Sequence, residues 1–409
     1  MDTLYHTIAS PAPTCFLAAF GCFYLAAHRR PGDHVRLVLG SLSILGTAAA
    51  GYIRGQQPDR DSAPTFILVM LSIAVFLRTF TLLFWKGFVV ESTSTLFDTQ
   101  KLRHMFVFWT TLITDKPTPT NEGAAGHPAE KTTTTTTTTT TKPTNNPNSI
   151  PIFVAHTLNR LLTFYALDQL TSHLINTATL GLNLTLDDFA PPKRALLPPS
   201  DALNARELCL RAVTAVNWIR ATHLALCTLR EALAVLHVAV LRAESPDEWA
   251  ARASSSPLYG APQEAYTLRR FWGVFWHRLH VETLAAYTPP FSRLAGCGSG
   301  VVAMADKMLA AGWIFFSSSL CHAATGWVLT GRSHAFEQAR FFLLNWALCL
   351  LETVAGRFFF SGAGGRRRGA PVPAWRRMLG YVWVLGIFFA LAPGWQYSTV
   401  YDSVLDSAW

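Results

Sequence analysis

Charged residues are scarce in this sequence: they make up 14% of its 409 residues, whereas hydrophobic residues make up 50%. Soluble domains carry roughly 25% charged residues, so this deficit argues against a water-soluble globular protein. The formal net charge is +9, but the basic residues stand in short clusters between apolar runs. That arrangement is typical of loops in a multi-span membrane protein. We therefore expect the lipid bilayer, and no nucleic acid, as a partner.

Cysteine spacing gives no sign of a metal site or of a disulfide framework. The seven cysteines are scattered, and no CxxC pair or CxxC…HxxxH pattern occurs among them. A basic region is also missing before the first apolar run, and the positive charges follow that run instead. We expect this run to be a retained membrane span and not a cleaved signal peptide.

Several apolar runs approach the roughly 20 residues that a membrane-spanning helix needs. The five clearest runs are Pro11–Ala27, Val35–Ile53, Pro64–Trp85, Val302–Leu329 and Ala335–Phe360. A sixth run, Met378–Pro393, is shorter. Two others, Ile150–Ile175 and Leu208–Leu241, are interrupted by polar residues and could either span the membrane or lie partly in its surface. These runs predict an all-α polytopic membrane bundle with six to nine spans.

One segment, residues 115–149, is poor in hydrophobic residues and contains ten consecutive threonines. Such a composition cannot bury a core, and it predicts a disordered loop. The chain is thereby divided into N-terminal spans (1–114), this loop (115–149) and a membrane core (150–409). Clusters of arginine predict that the loop after the first span and the loop Gly356–Arg377 are cytosolic. Counting back two spans places the region Arg269–Ser299 on the same side.

The stretch LRRFWGVFWHRLH, Leu268–His280, is too charged to cross a bilayer and too aromatic for an ordinary loop. Its four large aromatic residues are Phe271, Trp272, Phe275 and Trp276. Their spacing predicts one stripe on a short helix at the cytosolic membrane surface. Arg269, Arg270 and Arg278 could hold lipid head groups or an anionic ligand, and Gly273 permits close backbone approach. An interfacial anchor without further function is the alternative.

A second polar feature lies inside the apolar run Val302–Leu329. Ser318, Ser319 and Thr325 share a helix face with His322. A polar stripe on a spanning helix is expected to face the bundle interior or a wet cavity. A neutral imidazole there could accept a proton, or it could serve only as a hydrogen-bonding group between helices.

Together these two elements resemble the wax-synthase-like branch of the membrane-bound O-acyltransferase superfamily. The first element is FWGVFWH, Phe271–His277, and the second is FFSSSLCHAATGW, Phe315–Trp327. The resemblance covers roughly Ile150–Pro393. It departs from the family at Ser319, where glycine is frequent, and at Val274, where an arginine is common. A bundle of this superfamily's type is the fold that the resemblance implies.

The resemblance also implies roles for individual residues. His322 would be the general base, and His277 would polarise the thioester carbonyl, hold the donor's entrance or orient His322. A position at the lipid head groups is the alternative for His277. The implied contacts to substrate or coenzyme A come from Arg269, Arg270, Trp272, Trp276, Arg278, Ser318, Ser319 and Thr325. Asn345 and Glu352 either bond neighbouring helices or line the acceptor pocket.

The implied reaction moves an acyl group, expected to be acetyl, from acyl-CoA to the hydroxyl of a lipophilic alcohol. Fungal members of this branch often acetylate terpenoid or meroterpenoid alcohols in secondary metabolism, and we expect this activity in the endoplasmic reticulum membrane. No permanent cofactor is implied, and acyl-CoA is a co-substrate. Wax-ester synthesis from a long-chain acyl-CoA is the alternative reaction. A non-catalytic transporter or lipid-binding protein is the alternative of another class, although no internal repeat favours a transporter.

Overall fold

The structure is a computed structural model, and every regular element among its described residues is helical. It describes residues 10–57, 63–90, 98–111, 149–180, 184–196, 204–279, 281–288, 300–360 and 372–407. The α-helices are α1 Ala12–Ala27, α2 His34–Gly55, α3 Ala63–Phe80, α4 Thr99–Thr110, α5 Ser149–Leu180, α6 Ala205–Ala234, α7 Pro246–Ser255, α8 Leu268–Arg270, α9 Val281–Ala285, α10 Gly300–Thr330, α11 Ala335–Phe360 and α12 Ala374–Ser407. Short π-helical segments extend α3, α6 and α8, at Thr81–Trp85, Val235–Val240 and Phe271–Phe275.

Within the described residues, six helices are long and apolar enough to cross a membrane. They are His34–Gly55, Thr65–Trp85, Ser149–Thr177, Ala205–Val240, Ala305–Thr330 and Ala374–Asp402. The prediction of an all-α polytopic bundle is confirmed, and both runs interrupted by polar residues are among the six. The shorter run at Met378–Pro393 extends at both ends into the 34-residue helix α12. The predicted threonine-rich loop lies outside the described residues.

Two predicted runs form helices that fall outside this set of six. Helix α1 is apolar but has only 16 residues. Helix α11 has 26 residues, but Glu337, Arg340, Asn345 and Glu352 interrupt its apolar sequence. Helix α11 packs against α10 and α12. Two of its polar residues, Asn345 and Glu352, accept hydrogen bonds from residues of the candidate site described below.

Arg36 joins the first three helices at one end of the bundle. Asp33 begins α2 by accepting a hydrogen bond from the Val35 amide at 2.8 Å. One turn later, the guanidinium of Arg36 is 2% exposed and donates to four backbone carbonyls. The acceptors and distances are Ala26 at 3.4 Å, Arg29 at 2.8 Å, Leu83 at 2.8 Å and Phe88 at 2.9 Å. A buried guanidinium needs such partners, so this residue fixes the end of α1 and the segment after α3 against α2.

A core of aromatic residues joins α6, α8, α11 and α12. Trp218 of α6 stands at its centre and is 6% exposed. Its ring contacts the rings of Phe271, Trp272, Trp276, Phe341, Phe388 and Trp395 at centroid distances of 4.8–6.3 Å. Aromatic pairs at these distances add to the free energy of area burial. The rings of Phe271, Trp272 and Trp276 in the motif are therefore part of this aromatic core.

Candidate active site

His277 and His322 line the same cavity, of about 640 Å³ including the space open at its mouth. Helix α10 contributes Ile314, Phe315, Ser318, Cys321 and His322 to its wall. The aromatic motif contributes Trp272 and Trp276 besides His277. Met70 of α3, Val281 of α9 and Phe342 of α11 complete the lining. Two histidines that are 45 positions apart in sequence thus meet in one largely aromatic cavity.

The ring of His322 is half-buried against aromatic walls. Its centroid lies 4.9 Å from that of Phe342, and it meets Trp395 nearly perpendicularly at 5.9 Å. No hydrogen bond from the described residues engages either ring nitrogen. The imidazole therefore faces the cavity with its hydrogen-bonding capacity available to a substrate, which is what a proton acceptor requires.

The polar residues around His322 divide into two groups. Ser318 lines the cavity with His322. Ser319 does not, since it is buried and its hydroxyl donates to the Phe316 carbonyl at 2.6 Å. Thr325 is also buried and donates to the Cys321 carbonyl at 2.9 Å and to the Met70 sulfur at 3.2 Å. Of the four residues on the expected polar face, only Ser318 and His322 therefore line the cavity.

The aromatic motif adopts a different backbone from the one expected. An α-helical start at Leu268–Arg270 passes into a π-helix at Phe271–Phe275, and Trp276 is already extended. The wider turn buries three aromatic residues together: Phe271 is 2% exposed, Phe275 7% and Trp276 6%. An interfacial anchor would present these rings to lipid head groups, so their burial inside the bundle argues against that alternative.

Glu352 holds the first turn of the motif. One carboxylate oxygen accepts from the Leu268 amide at 2.8 Å, and the other accepts from the Arg269 amide at 3.0 Å. The indole of Trp383 donates to the first oxygen at 2.7 Å. Because the first amides of a helix have no acceptor within the helix, this carboxylate stabilises the start of α8. Glu352 lines none of the cavities described here.

Asn345, seven residues before Glu352 on α11, also supports the motif. It is fully buried, and its side-chain oxygen accepts from the Trp272 indole at 3.1 Å. Its amide nitrogen donates to the Phe341 carbonyl at 2.8 Å. The orientation of Trp272 on the cavity wall thus depends on the hydrogen bond that its indole donates to Asn345 of α11.

The close backbone approach expected at Gly273 occurs instead at Gly260. A Cβ at Gly273 would meet nothing within 4 Å, whereas one at Gly260 would collide with the Val274 carbonyl oxygen. The Gly260 amide donates to the Phe275 carbonyl at 2.9 Å. Gly260 stands in an irregular loop without periodicity, so sequence analysis had no pattern that could single it out.

A second hollow, of about 1,100 Å³ including its open mouth, adjoins the histidine cavity. The two share Trp272, Val281, Ile314 and Phe315 as lining residues. Arg269, a predicted contact to coenzyme A, lines this hollow, and Lys307, which sequence analysis missed, lines it as well. Two cations therefore line a hollow that shares part of its wall with the cavity of the two histidines.

The other two arginines of the motif stand elsewhere. Arg270 forms an ion pair with the Glu264 carboxylate, and its guanidinium stacks over the Tyr266 ring at 4.7 Å. Arg278 is exposed, and its backbone amide donates to the Leu258 carbonyl at 3.2 Å. Neither lines a cavity described here, so the expected group of three arginines is reduced to Arg269 alone.

An apolar hollow of about 1,410 Å³, mouth included, lies between α2, α3 and α10. Leu45, Tyr52, Phe76, Leu320 and Trp327 are among its lining residues. Cys321 borders both this hollow and the histidine cavity. As expected from the sequence, Cys321 is buried in the packing between helices, and it forms part of the wall between the two spaces.

Tyr259, a residue that sequence analysis missed, packs behind His277. Its ring lies 5.9 Å from that of His277 and 4.3 Å from that of His223, in perpendicular arrangements. Its hydroxyl donates to the Thr222 carbonyl at 3.3 Å. Burial raises the pKa of Tyr259, so the phenol stays neutral and acts here as a packing group. No group of three or more potential metal ligands occurs in the part of the chain that the structure describes.

Comparison with known proteins returns one family and several curated relatives. The sequence model of the membrane bound O-acyl transferase family matches residues 255–344. Acetyltransferase atnC of Arthrinium sp is 25% identical over 209 residues, 51% of this chain and 46% of that protein. Acetyltransferase TRI7 of Fusarium sporotrichioides is 25% identical over 190 residues, 44% of this chain and 40% of that protein. Acetyltransferase ataH of Aspergillus terreus is 30% identical over 162 residues, 37% of this chain and 46% of that protein.

Each of these matches spans less than half of the relative's length. No solved structure matches the chain. The family match contains the whole aromatic motif and His322, which are the residues that meet at the histidine cavity. The resemblance indicated by the two histidine motifs is therefore confirmed: this chain is similar to the membrane bound O-acyl transferase family through residues 255–344, and to fungal acetyltransferases over a longer region.

Proposed function

We propose that this protein is a membrane-embedded O-acyltransferase, which moves an acyl group from acyl-CoA to the hydroxyl of a lipophilic alcohol. The observation that carries the proposal is the shared cavity of His277 and His322. A hollow with cations on its wall adjoins this cavity on one side, and an apolar hollow adjoins it on another. Two dissimilar substrates, one anionic and one lipophilic, need two such approaches.

The donor would enter through the hollow that Arg269 and Lys307 border. Both are cations, and the phosphates of coenzyme A are anions that such side chains bind. The acyl thioester would then reach the shared wall formed by Trp272 and Phe315 and come to lie beside His277. No permanently bound cofactor is required by this proposal, since acyl-CoA is consumed as a co-substrate.

The chemical step would be direct transfer without an acyl-enzyme. His322 accepts the proton of the alcohol as the oxygen attacks the thioester carbonyl carbon. The carbon–sulfur bond then breaks, and the proton held by His322 passes to the departing thiolate of coenzyme A. Phe342, which lines the cavity, and Trp395, which packs against the His322 ring, would exclude water that competes with the alcohol. Cys321 precedes His322 on the helix and points about 100° away from it, so a Cys–His pair is not formed.

We propose an acetyl donor and a terpenoid or meroterpenoid acceptor for this site. Met70 and Phe342 narrow the space around His322, which favours a short acyl group. The relatives atnC, TRI7 and ataH are each named acetyltransferases. We propose a role in secondary-metabolite biosynthesis in the endoplasmic reticulum membrane, with residues 150–409 as the catalytic core.

The proposal is tested by supplying membranes that contain the protein with radiolabelled acetyl-CoA or palmitoyl-CoA and a panel of terpenoid and fatty alcohols. Label from acetyl-CoA is expected in a terpenoid ester, at a rate at least tenfold above that with palmitoyl-CoA. Wax esters from palmitoyl-CoA would instead identify a wax-ester synthase. Membranes without transfer from either donor, although the protein is folded and binds an alcohol, would favour a lipid-binding protein or transporter.

The role of His277 is tested by comparing asparagine with alanine at this position. If the ring acts on the thioester by hydrogen bonding, His277→Asn should retain several-fold more activity than His277→Ala, because an amide can still donate. The measurement is the initial rate of acetyl transfer at saturating donor. Equal losses in both variants would contradict a hydrogen-bonding role.

A further inference from the structure

A further hollow, with two arginines in its lining, lies apart from the histidine cavity and from the two hollows that adjoin it. It has a volume of about 440 Å³ with its mouth and lies between the end of α6 and the helix α7. Arg230, His237 and Arg252 line it, together with the polar residues Thr111 and Ser256. None of the residues assigned above to acyl transfer lines this hollow, so it requires a separate explanation.

Several buried side-chain nitrogens around this hollow have no hydrogen-bond partner among the described residues. The ring of His237 is 1% exposed, and its Nε2 atom is 3.1 Å from the Thr110 hydroxyl. Within the described chain its Nδ1 atom has no hydrogen-bond partner, and neither does Nε of Arg252. Arg78, 8% exposed, donates to the Thr111 carbonyl at 3.3 Å but has two further guanidinium nitrogens without a partner there.

Carboxylates balance only part of the positive charge at this hollow. Glu244 forms an ion pair with Arg252 and lies 3.8 Å from the His237 ring. Glu231 is shared between Arg230 and Arg160, at 2.8 Å from each. Glu282 acts on Arg78 through space, but the described residues form no ion pair with Arg78. Arg78 is therefore the arginine of this group for which the described residues supply no ion pair.

A bound oxyanion would supply acceptors to the guanidinium nitrogens of Arg252 and Arg78 that have no partner among the described residues. Buried polar groups are costly unless they are hydrogen-bonded. A phosphate offers several acceptor oxygens and a negative charge, and arginine binds it in a bidentate manner. Trp249, which packs under the Arg252 guanidinium at 4.5 Å, adds a flat apolar wall beside these donors.

We propose that this hollow is a second binding site, specific for a phosphate group and distinct from the histidine cavity. Two molecules could present that group: the nucleotide end of coenzyme A, or an anionic phospholipid. The two sites are neighbours, since Leu258 lines the phosphate site and the next residue, Tyr259, packs on His277. The proposal does not depend on acyl transfer, because occupancy is measured without turnover.

Ala253 offers a sharp test, since it lines the hollow from α7 without making any of its polar contacts. Ala253→Glu introduces a carboxylate among the arginines, and Ala253→Gln introduces a neutral side chain of the same size. Binding to the purified full-length protein is measured with two probes: adenosine 3′,5′-bisphosphate by calorimetry, and phosphatidic acid in phosphatidylcholine nanodiscs by native mass spectrometry. Ala253→Glu is expected to weaken binding of one probe at least tenfold more than Ala253→Gln, through like-charge repulsion.

The probe whose binding responds identifies the source of the phosphate group. As a matched control, Arg103→Gln removes an exposed arginine outside the hollow and should change neither affinity. If Ala253→Glu does not fold, the double variant Arg252→Gln/Glu244→Gln removes an ion pair without leaving an unpaired charge, and it should weaken the same probe. Equal affinities of the glutamate and glutamine variants for both probes, or an unaffected double variant, would overturn the proposal.

Discussion

His322→Ala is expected to lower the rate of acyl transfer by about 100- to 10,000-fold, the range typical of removing a general base. The expected loss is large because, of the other described polar side chains that line the cavity, Ser318 is a hydroxyl, Cys321 is packed in the wall, and His277 is assigned by the proposal to the thioester and not to the alcohol. The variant should still insert and fold, since the ring of His322 makes aromatic contacts but no hydrogen bond with the described residues. Initial rates with labelled donor, normalised to folded protein, provide the measurement.

The matched control for this variant is His156→Ala. His156 is exposed on α5 and lines none of the cavities described, so its loss should leave the rate unchanged. Gel filtration in detergent separates folded from aggregated protein for both variants. A folded His322→Ala protein that retains wild-type activity would remove this residue from the proposed mechanism.

Glu352→Ala is expected to cause the second-largest effect, although Glu352 touches no cavity. It removes the acceptor of the Leu268 and Arg269 amides and of the Trp383 indole. Hydrogen bonds to a charged group contribute about 1.5–3 kcal/mol each, so the start of the motif should become mobile. We expect the rate of transfer to fall at least tenfold, together with a lower apparent Tm.

Glu352→Gln distinguishes positioning from a charge effect. Its carbonyl oxygen can still accept from Leu268 and Trp383, so it should recover part of the activity and most of the Tm. Leu351→Ala, a change at an exposed neighbour on the same helix, should alter neither quantity much. If Glu352→Ala retained both the wild-type rate and the wild-type Tm, the motif would not depend on this carboxylate.

Much of the fold could be predicted because a bilayer imposes simple requirements on a sequence. Spanning helices need length and apolar character, and both can be read directly along the chain. The meeting of His277 and His322 followed from two motifs considered together. Periodicity alone could not predict that His277 and His322 line one cavity, because this depends on how α10 packs against the motif.

The details of the site depended on contacts between residues far apart in the chain. An arginine in the motif looks equally suited to a ligand whether or not a partner exists, and the partner of Arg270, Glu264, is a loop residue without any pattern. The π-helical turn at Phe271–Phe275 likewise follows from packing around Trp218 and not from local preference. Glu352 could be recognised as costly at its depth, but its three donors lie 31 to 84 positions away.

The four carbonyls bound by Arg36 have a consequence for how the chain is assembled in the membrane. Two of these acceptors, in Ala26 and Arg29, are already present when the first helical hairpin has been synthesised. The other two, in Leu83 and Phe88, emerge only after α3. Until α3 has been synthesised, the Arg36 guanidinium has only two of its four carbonyl acceptors, so the hairpin of α1 and α2 lacks part of its final hydrogen bonding. Capture of the third helix then completes the coordination of Arg36 and closes the N-terminal part of the bundle during translation.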